Sequence, residues 1–209
     1  MSDTFQLDHW RGQFGDDYIG RNETDPSQLA ARKKMWERVL APIESRRQPG
    51  SILEVGANIG LNLRALSDVT SAALYGLEPN ATALQRMVDD AVVPQARALE
   101  GSAQAIPLAD GAVEMAFTCG VMIHIHPDDL AAACQEMSRV TTRYIACIEY
   151  FDAAPRSIEY RNRDDLLFKR DFGAFWLEQE PSLKLLDYGF FWRPATSLDN
   201  LTWWLFEKA

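Results

Sequence analysis

The feature that most constrains the fold is the run SILEVGANIGLNL at residues 51–63. Its first part, 52–55, is apolar except for one acid and is typical of a central strand in a parallel sheet. Gly56 and Gly60 then allow a sharp turn and a close approach of the backbone to a ligand, because glycine has no Cβ. In open α/β sheets, ligands bind where strands pass into helices at the carboxyl ends of the strands. The run therefore predicts a nucleotide-like cofactor at this turn.

The spacing within the turn excludes two common phosphate sites. A dinucleotide fingerprint requires Gly-x-Gly-x-x-Gly, but Asn58 stands at the second glycine position and Leu61 at the third. A P-loop requires Gly-Lys followed by Ser or Thr, and no such triplet follows the turn. A cofactor with a nucleoside and no phosphates fits better, which favours S-adenosylmethionine (SAM). A nicotinamide-dependent oxidoreductase shares the strand-turn-helix unit and stays open as an alternative, although Asn58 counts against it.

An acidic residue ends the next predicted strand. Residues 73–77 have the composition of a strand, and Glu78 follows them. An acid about 20 residues after the glycine turn is placed to accept hydrogen bonds from a ribose diol. Pro79 and Asn80 then end the strand and begin a helix. We therefore predict that Glu78 binds ribose; the alternative is an acid at a helix start with no ligand.

The remaining pattern alternates strands and helices, which predicts an α/β fold with a parallel sheet and right-handed crossovers. Asp25 is predicted to cap a helix that continues to about Arg47. Further helices are predicted at 82–93 and 128–138, and further strands at 96–99, 113–118, 144–148, 183–192 and 201–206. Residues 1–24 show no clear period and are expected to be irregular.

These motifs together resemble the class I SAM-dependent methyltransferases over roughly residues 50 to 150. The matching order is Glu54-x-Gly56-x-x-x-Gly60, Glu78, Gly101-Ser102-Ala103 and Cys119-Gly120-Val121-Met122-Ile123-His124-Ile125. The resemblance implies a Rossmann-like fold with a mostly parallel seven-stranded sheet, a C-terminal antiparallel strand and helices on both faces. It also implies one domain over 1–209, with an N-terminal cap at 1–48, a SAM-binding core at 50–150 and a substrate-side segment at 151–209.

The two ends of the chain show a narrower resemblance. Residues 10–22, WRGQFGDDYIGRN, resemble the opening of methylases associated with pseudaminic acid biosynthesis, and WWLFEK at 203–208 is similar to that group as well. The acceptor that this resemblance implies is a nonulosonic acid sugar, its precursor or a nucleotide-activated form. Arg161, Arg163, Lys169 and Arg170 would receive such an acid, unless they belong to a solvated loop.

The expected cofactor contacts follow from the motifs and the resemblance. They are Tyr18, Arg21, Glu54, Gly56, Ala57, Asn58, Gly60, Glu78, Pro79, Asn80, Ser102, Ala103, Cys119, Gly120 and Val121. Arg21 would pair with the carboxylate of SAM, since a guanidinium matches a carboxylate in a fork. Serine at 102 replaces the acid that is common where the family contacts adenine. Trp10 and Phe14 would close over the site as a lid or simply pack on the sheet.

Three residues are candidates for catalysis: His124, Glu149 and Tyr150. His124 follows the fourth strand of the motif region, and histidine titrates near neutral pH, which suits a general base. The alternative is a loop residue that never moves a proton. Glu149 and Tyr150 end the fifth strand, where Glu149 would face an amine or hydroxyl or else form a rim salt bridge. No metal is expected, because His124 and His126 have no evident third ligand.

Bulk properties limit the possible partners. The 209 residues carry a net charge of -9, which disfavours nucleic acid as a partner because phosphate binding needs a basic face. The basic cluster at 32–34 is interpreted as the solvated side of a helix. Three scattered cysteines, no apolar run of membrane-spanning length and no signal-peptide pattern predict a cytoplasmic protein that acts on a small molecule. A non-catalytic SAM-binding partner of a sugar-pathway enzyme is a further alternative, and the oligomeric state is not predicted.

Overall fold

The structure is a computed structural model that describes residues 5–20, 25–161, 163 and 165–209. Its strands are β1 (Ser51–Val55), β2 (Ala73–Glu78), β3 (Ala98–Glu100), β4 (Val113–Cys119), β5 (Thr141–Glu149), β6 (Arg156–Ser157), β7 (Phe168–Lys169), β8 (Lys184–Phe191) and β9 (Leu201–Glu207). Seven of them form one sheet in the order β3-β2-β1-β4-β5-β9-β8. Strands β1 to β5 are parallel, whereas β9 is antiparallel to both of its neighbours. This confirms the predicted sheet.

Helices cover both faces of this sheet, as predicted. They are α1 (Phe5–Arg11), α2 (Gln13–Ile19), α3 (Pro26–Leu40), α4 (Leu61–Ser67), α5 (Ala81–Asp89), α6 (Leu130–Val140), α7 (Phe172–Gln179) and α8 (Arg193–Thr196). One core cluster includes Trp36 of α3 and Leu63 of α4, and a second includes Met137 of α6 and Trp176 of α7. Within the described ranges, no helix is long and apolar enough to cross a membrane.

Helix α3 ends seven residues before the predicted boundary at Arg47, because Pro42 interrupts it. Proline has no N–H to donate, and its ring clashes with the carbonyl four residues earlier. The chain therefore tightens into a 3-10 turn at Ala41–Ile43. Helix α5 also ends early, at Asp89, since Ala91 adopts a left-handed conformation with φ 54° and returns the chain so that Val93 is buried in the core.

The expectation of an irregular N-terminus is wrong for the described part of 1–24. Residues 5–11 and 13–19 form α1 and α2. Each helix is only two turns long, and helices this short depend on packing more than on propensity. The packing comes from Trp10, which contacts Phe14 and Tyr18 edge-to-face at ring-centroid distances of 5.0 and 5.2 Å. The pattern of neighbouring residues in the sequence does not reveal this aromatic cluster, because the cluster depends on tertiary packing.

Candidate cofactor site

A cavity opens at the carboxyl ends of β1, β2 and β4, beneath α1 and α2. Twelve of the predicted cofactor residues line it: Tyr18, Glu54, Gly56, Ala57, Asn58, Glu78, Pro79, Ser102, Ala103, Cys119, Gly120 and Val121. The candidate base His124 and the predicted lid residue Trp10 line it as well. Gly60 and Asn80 are adjacent but do not line it, and Arg21 lies outside the described residues. The structure therefore brings most of the predicted set together.

The glycine turn after β1 needs three left-handed residues. Gly56 and Gly60 have φ 77°, and Asn58 has φ 49°. Asparagine tolerates this region better than most residues with a side chain, since its short amide bonds locally. Here the Asn58 side-chain oxygen accepts a hydrogen bond from the Ile59 N–H at 2.8 Å. A Cβ on Gly56 would lie 2.7 Å from the Val121 side chain. Asn58 thus takes the left-handed conformation that the turn requires and bonds its own neighbour.

Glu78 joins the glycine turn to the start of α5. Its carboxylate accepts hydrogen bonds from the Asn58 N–H at 2.7 Å and from the Asn80 N–H at 2.9 Å. The side chain is buried at the cavity wall. Burial raises its pKa to about 7, and the two amide bonds partly oppose this shift. The group is therefore an acceptor with lone pairs to spare, placed at the end of β2.

Asn80 fastens the N-terminal helices over the cavity. Its side-chain oxygen caps α5 by accepting from the Ala83 N–H at 2.8 Å. Its amide nitrogen donates to the Trp10 carbonyl at 3.3 Å and to Asp16 Oδ1 at 3.0 Å. Gly15 sits against this contact, where an added Cβ would lie 1.9 Å from the Trp10 carbonyl oxygen. Asn80 therefore does not line the cavity, but it holds α5 and the N-terminal helices together beside it.

A buried acid and an arginine line another part of the cavity. Asn62 donates to Glu54 Oε1 at 2.6 Å, while Glu54 Oε2 is buried with no partner in the described structure. Burial raises the Glu54 pKa to about 8, with Asn62 and Arg32 opposing the shift. Among the described residues that line the cavity, Arg32 is the sole arginine or lysine, and it donates to Gln28 Oε1 at 3.1 Å.

The cavity position of Arg32 corrects its interpretation as a solvated residue. The sequence held a usable signal, because Arg32 is three residues after Leu29 and four before Trp36. That spacing places it on the same face of α3 as the apolar residues. Arg32 is near enough to the buried Glu54 to lower its pKa, against the larger effect of burial.

His124 lies in a 3-10 turn after β4, at Met122–His124. Its Nδ1 is 2.7 Å from the Leu166 carbonyl oxygen. Because a carbonyl only accepts, Nδ1 carries the hydrogen and Nε2 is left as an acceptor. Burial lowers the pKa to about 4, and the Leu166 carbonyl partly opposes this. The imidazole is therefore neutral at pH 7 with Nε2 free to accept, but its pKa lies below the near-neutral range expected from the sequence, which makes it a weaker base than a free imidazole.

The other two candidate catalytic residues do not line this cavity. Glu149 is fully buried, and its Oε1 accepts from the N–H groups of Val121 and Met122 at 3.1 and 3.0 Å. It therefore supports the turn that leads to His124. Tyr150 donates from its hydroxyl to Asp199 Oδ2 at 2.9 Å. Burial, and then Asp199, raise the Tyr150 pKa.

The four cations predicted to receive an acid differ in their surroundings. Arg163 pairs with Asp165 at 2.6 Å, and Arg170 lies over the Phe175 ring at 3.9 Å. Arg161 lies over the rings of Phe14 and Tyr160, and Lys169 lies over Tyr150 at 5.0 Å. Within the described structure, neither Arg161 nor Lys169 has a carboxylate oxygen within 4.0 Å. Among all the residues that the structure describes, no group of three His, Cys, Asp or Glu residues is arranged to hold a metal ion.

Comparison with known proteins shows what the chain is similar to. Residues 52–143 match the family model of a methyltransferase domain. A SAM-dependent methyltransferase from Leishmania major superposes with a TM-score of 0.74 at 16% identity, covering 96% of this chain and 81% of that one. One from Aquifex aeolicus gives 0.66 at 16% identity, covering 92% and 98%. A Burkholderia thailandensis 1,6-didemethyltoxoflavin N1-methyltransferase, solved with its substrate and S-adenosylhomocysteine, gives 0.69 at 13% identity, covering 100% and 92%.

A search of curated proteins found no match to the chain. The family model matches residues 52–143 as a methyltransferase domain, and the superpositions confirm the predicted fold. They do not confirm the narrower resemblance to the pseudaminic acid-associated methylases.

Proposed function

We propose that this chain, which carries a methyltransferase domain, transfers a methyl group from SAM to a small-molecule acceptor. The observation that carries the proposal is the buried Glu78 carboxylate at the end of β2, beside a glycine turn with no phosphate fingerprint. A ribose diol offers two donors, and an ionised carboxylate with two backbone bonds keeps lone pairs for both. This combination selects a nucleoside without a pyrophosphate.

The charged pair in the cavity supports SAM over a plain nucleoside. The amino-acid end of SAM carries a carboxylate and an ammonium group. Arg32 supplies a guanidinium for the carboxylate, and the unpartnered Glu54 Oε2 supplies an acceptor for the ammonium. An incoming positive charge would also stabilise the ionised form of Glu54, whose pKa burial has raised to about 8. Among the described residues, Arg32 is our candidate for the contact with the SAM carboxylate. Arg21, the residue expected from the sequence, lies outside the described residues.

SAM, when bound, supplies a methyl group on a positively charged sulfur. The chain's own task is to position the acceptor and to take its proton. His124 is suited to that task, because Nδ1–H is committed to the Leu166 carbonyl and Nε2 is an acceptor. Glu149 holds the backbone of Val121 and Met122 and so fixes the turn that carries His124. His124 is the proposed base, and Glu149 is a positioning residue.

The proposed acceptor is anionic, with an acidic sugar of the nonulosonic type as the leading candidate. Support comes from Arg161 and Lys169, which rest on aromatic rings instead of carboxylates. Arg161 is close to the cofactor cavity, since the Tyr160 ring beneath it lies 5.7 Å from the His124 ring. A cation without a counter-ion beside a reaction site favours an acidic ligand. The narrower resemblance of residues 10–22 points to the same class.

Mass spectrometry of S-adenosylhomocysteine formation tests the proposal. The protein is incubated with SAM and a panel of acidic sugars, matched neutral sugars and nucleotide sugars. Acceptor-dependent product with the acids, and loss of that product in Glu78→Ala, is the expected result. A fold neighbour is described as a [4+2]-cyclase, so turnover has to be measured and not inferred from fold. Tight SAM binding with no product from any acceptor would favour the non-catalytic alternative instead.

A further inference from the structure

A second concave surface lies at the carboxyl ends of β5 and β8. Its walls include the rings of Tyr150, Phe151, Tyr188, Phe190 and Trp204, and the charged residues that line it are Lys169, Asp171, Arg193 and Asp199. Tyr188 is 63% exposed and Phe190 57% exposed. Soluble proteins rarely leave contiguous aromatic surface in water unless it binds something. We call this surface the aromatic depression.

The sheet determines on which face the rings of Tyr188, Phe190 and Trp204 lie. Tyr188 and Phe190 are two residues apart on edge strand β8 and so point to the same face. Tyr188 is paired in register with Trp204 on β9. Between them, Gly189 lies against Trp203 on the opposite side, where a Cβ would be 2.8 Å from the indole nitrogen. Tyr188, Phe190 and Trp204 therefore lie on the same face of the sheet.

One cation that lines the aromatic depression, Lys169, has no ion-pair partner in the described structure. Lys169 Nζ lies 5.0 Å from the Tyr150 ring centre and has no carboxylate within 4.0 Å in the described structure. Both acids that line the depression accept hydrogen bonds within the protein. Asp199 accepts from the Tyr150 hydroxyl and pairs with Arg193 at 4.0 Å, and Asp171 caps α7 by accepting from the Ala174 N–H at 2.9 Å. The depression thus offers aromatic faces, an Arg193–Asp199 pair, the helix-capping Asp171 and one lysine that forms no ion pair in the described structure.

Tyr150 joins the depression to the cofactor cavity. It directly follows Glu149, whose carboxylate holds the backbone of Val121, a cavity residue. Tyr18, another cavity residue, and Tyr160 are near enough to Tyr150 to contribute to the rise in its pKa. Tyr150, which lines the depression, is therefore the neighbour in sequence of the residue that holds the cofactor-cavity turn.

We propose that the aromatic depression is the acceptor subsite, which holds a ring-shaped carboxylic acid with its ring on Tyr188 and Phe190 and its carboxylate on Lys169. This inference rests on the proposed function, and it places the acceptor on β8 and β9. Ring faces supply apolar contact area, and the ammonium of Lys169 supplies the charge that selects acids over neutral analogues.

Ligand-observed NMR tests the subsite without turnover. The probes are sodium glucuronate and sodium benzoate, with glucose and benzyl alcohol as neutral counterparts, all at millimolar concentration. We expect saturation transfer to the two acids, and its loss in Lys169→Met and in Tyr188→Ser. Leu185→Ser is the matched control, because Leu185 is 42% exposed on the same strand but lies outside the depression. Equal signals for acids and neutral compounds, no signal at all, or the same loss in Leu185→Ser would overturn the proposal.

Kinetics separate failure of the subsite from failure of the proposed function. With an acceptor that turns over, Lys169→Met should raise the acceptor KM roughly ten- to hundredfold, while the SAM Kd stays unchanged. Wild-type KM in that variant would reject the subsite and leave methyl transfer standing. No SAM binding by the wild type would instead reject the proposed function. Sedimentation that shows a dimer broken by Tyr188→Ser would assign the rings to a second copy of the chain and also reject the subsite.

Discussion

Replacing Glu78 with glutamine tests the ribose assignment most sharply. The carboxylate holds two backbone amides, at 2.7 and 2.9 Å, and is proposed to hold two ribose hydroxyls as well. Glutamine has one accepting oxygen, and its NH2 group would face a donor. A hydrogen bond to a charged group contributes about 1.5–3 kcal/mol. Loss of one such bond to ribose predicts a SAM Kd about 10- to 150-fold weaker.

The pH dependence gives a second readout of the same substitution. The Glu78 pKa is about 7 without cofactor, and only the ionised form can accept from both hydroxyls. Wild-type SAM affinity should therefore rise with pH through about 7, by at most about tenfold per unit. Glu54, with a pKa of about 8, titrates in a neighbouring range. The contribution of Glu78 is therefore the difference between the wild-type and Glu78→Gln profiles.

Isothermal titration calorimetry with SAM between pH 6 and 9 makes both measurements. Glu100→Gln is the matched control, since Glu100 is exposed and pairs in register with Glu78 on the adjacent strand. Wild-type affinity in Glu78→Gln, with an unchanged pH profile, would refute the ribose role. A weakening of similar size in Glu100→Gln would show that general charge, not contact, is responsible.

Three further predictions follow from the structure. His124→Ala should lower kcat by roughly 10²- to 10⁴-fold with little change in SAM Kd, and wild-type turnover across the pH range would end its role as base. Burial raises the pKa values of Glu54, Glu78 and Glu149 from 4.5 to between about 7 and 8. The stability that these three groups contribute to the cofactor-free protein should therefore be complete below about pH 4.5. It should be lost as the pH rises through 7 to 8. A Tm that does not fall between pH 5.5 and 8.5 would contradict this. Gly15→Ala should lower Tm by several degrees and weaken SAM binding, because its Cβ would overlap the Trp10 carbonyl, whereas alanine at Gly20 meets nothing closer than 3.9 Å and should be tolerated.

The sequence predicted the parts of the site that depend on local backbone chemistry. The strand-turn-helix around Gly56 and the acid at Glu78 follow from short-range rules, because a left-handed turn and a strand end leave characteristic residues. The alternation of strands and helices likewise determined the sheet. Position 58 shows the same principle, since asparagine is one of the few residues with a side chain that readily take the left-handed conformation found there.

The parts that the sequence missed depend on contacts between distant segments. Arg32 faces the cavity because α3 crosses near Glu54, and α1 forms because Trp10 packs over the sheet edge. The sequence also does not show which way a side chain at a strand end points. An acid such as Glu149 can face a ligand or can bond the backbone of a neighbouring loop. Only the fold shows that its oxygen accepts from the backbone of Val121.

The central claim is that the cavity binds SAM. Calorimetric titration of the purified protein with SAM, S-adenosylhomocysteine and NADH in parallel tests it most directly. We predict saturable binding of the first two and none of NADH. Binding of NADH alone would contradict the account and would move the search to carbonyl and alcohol substrates.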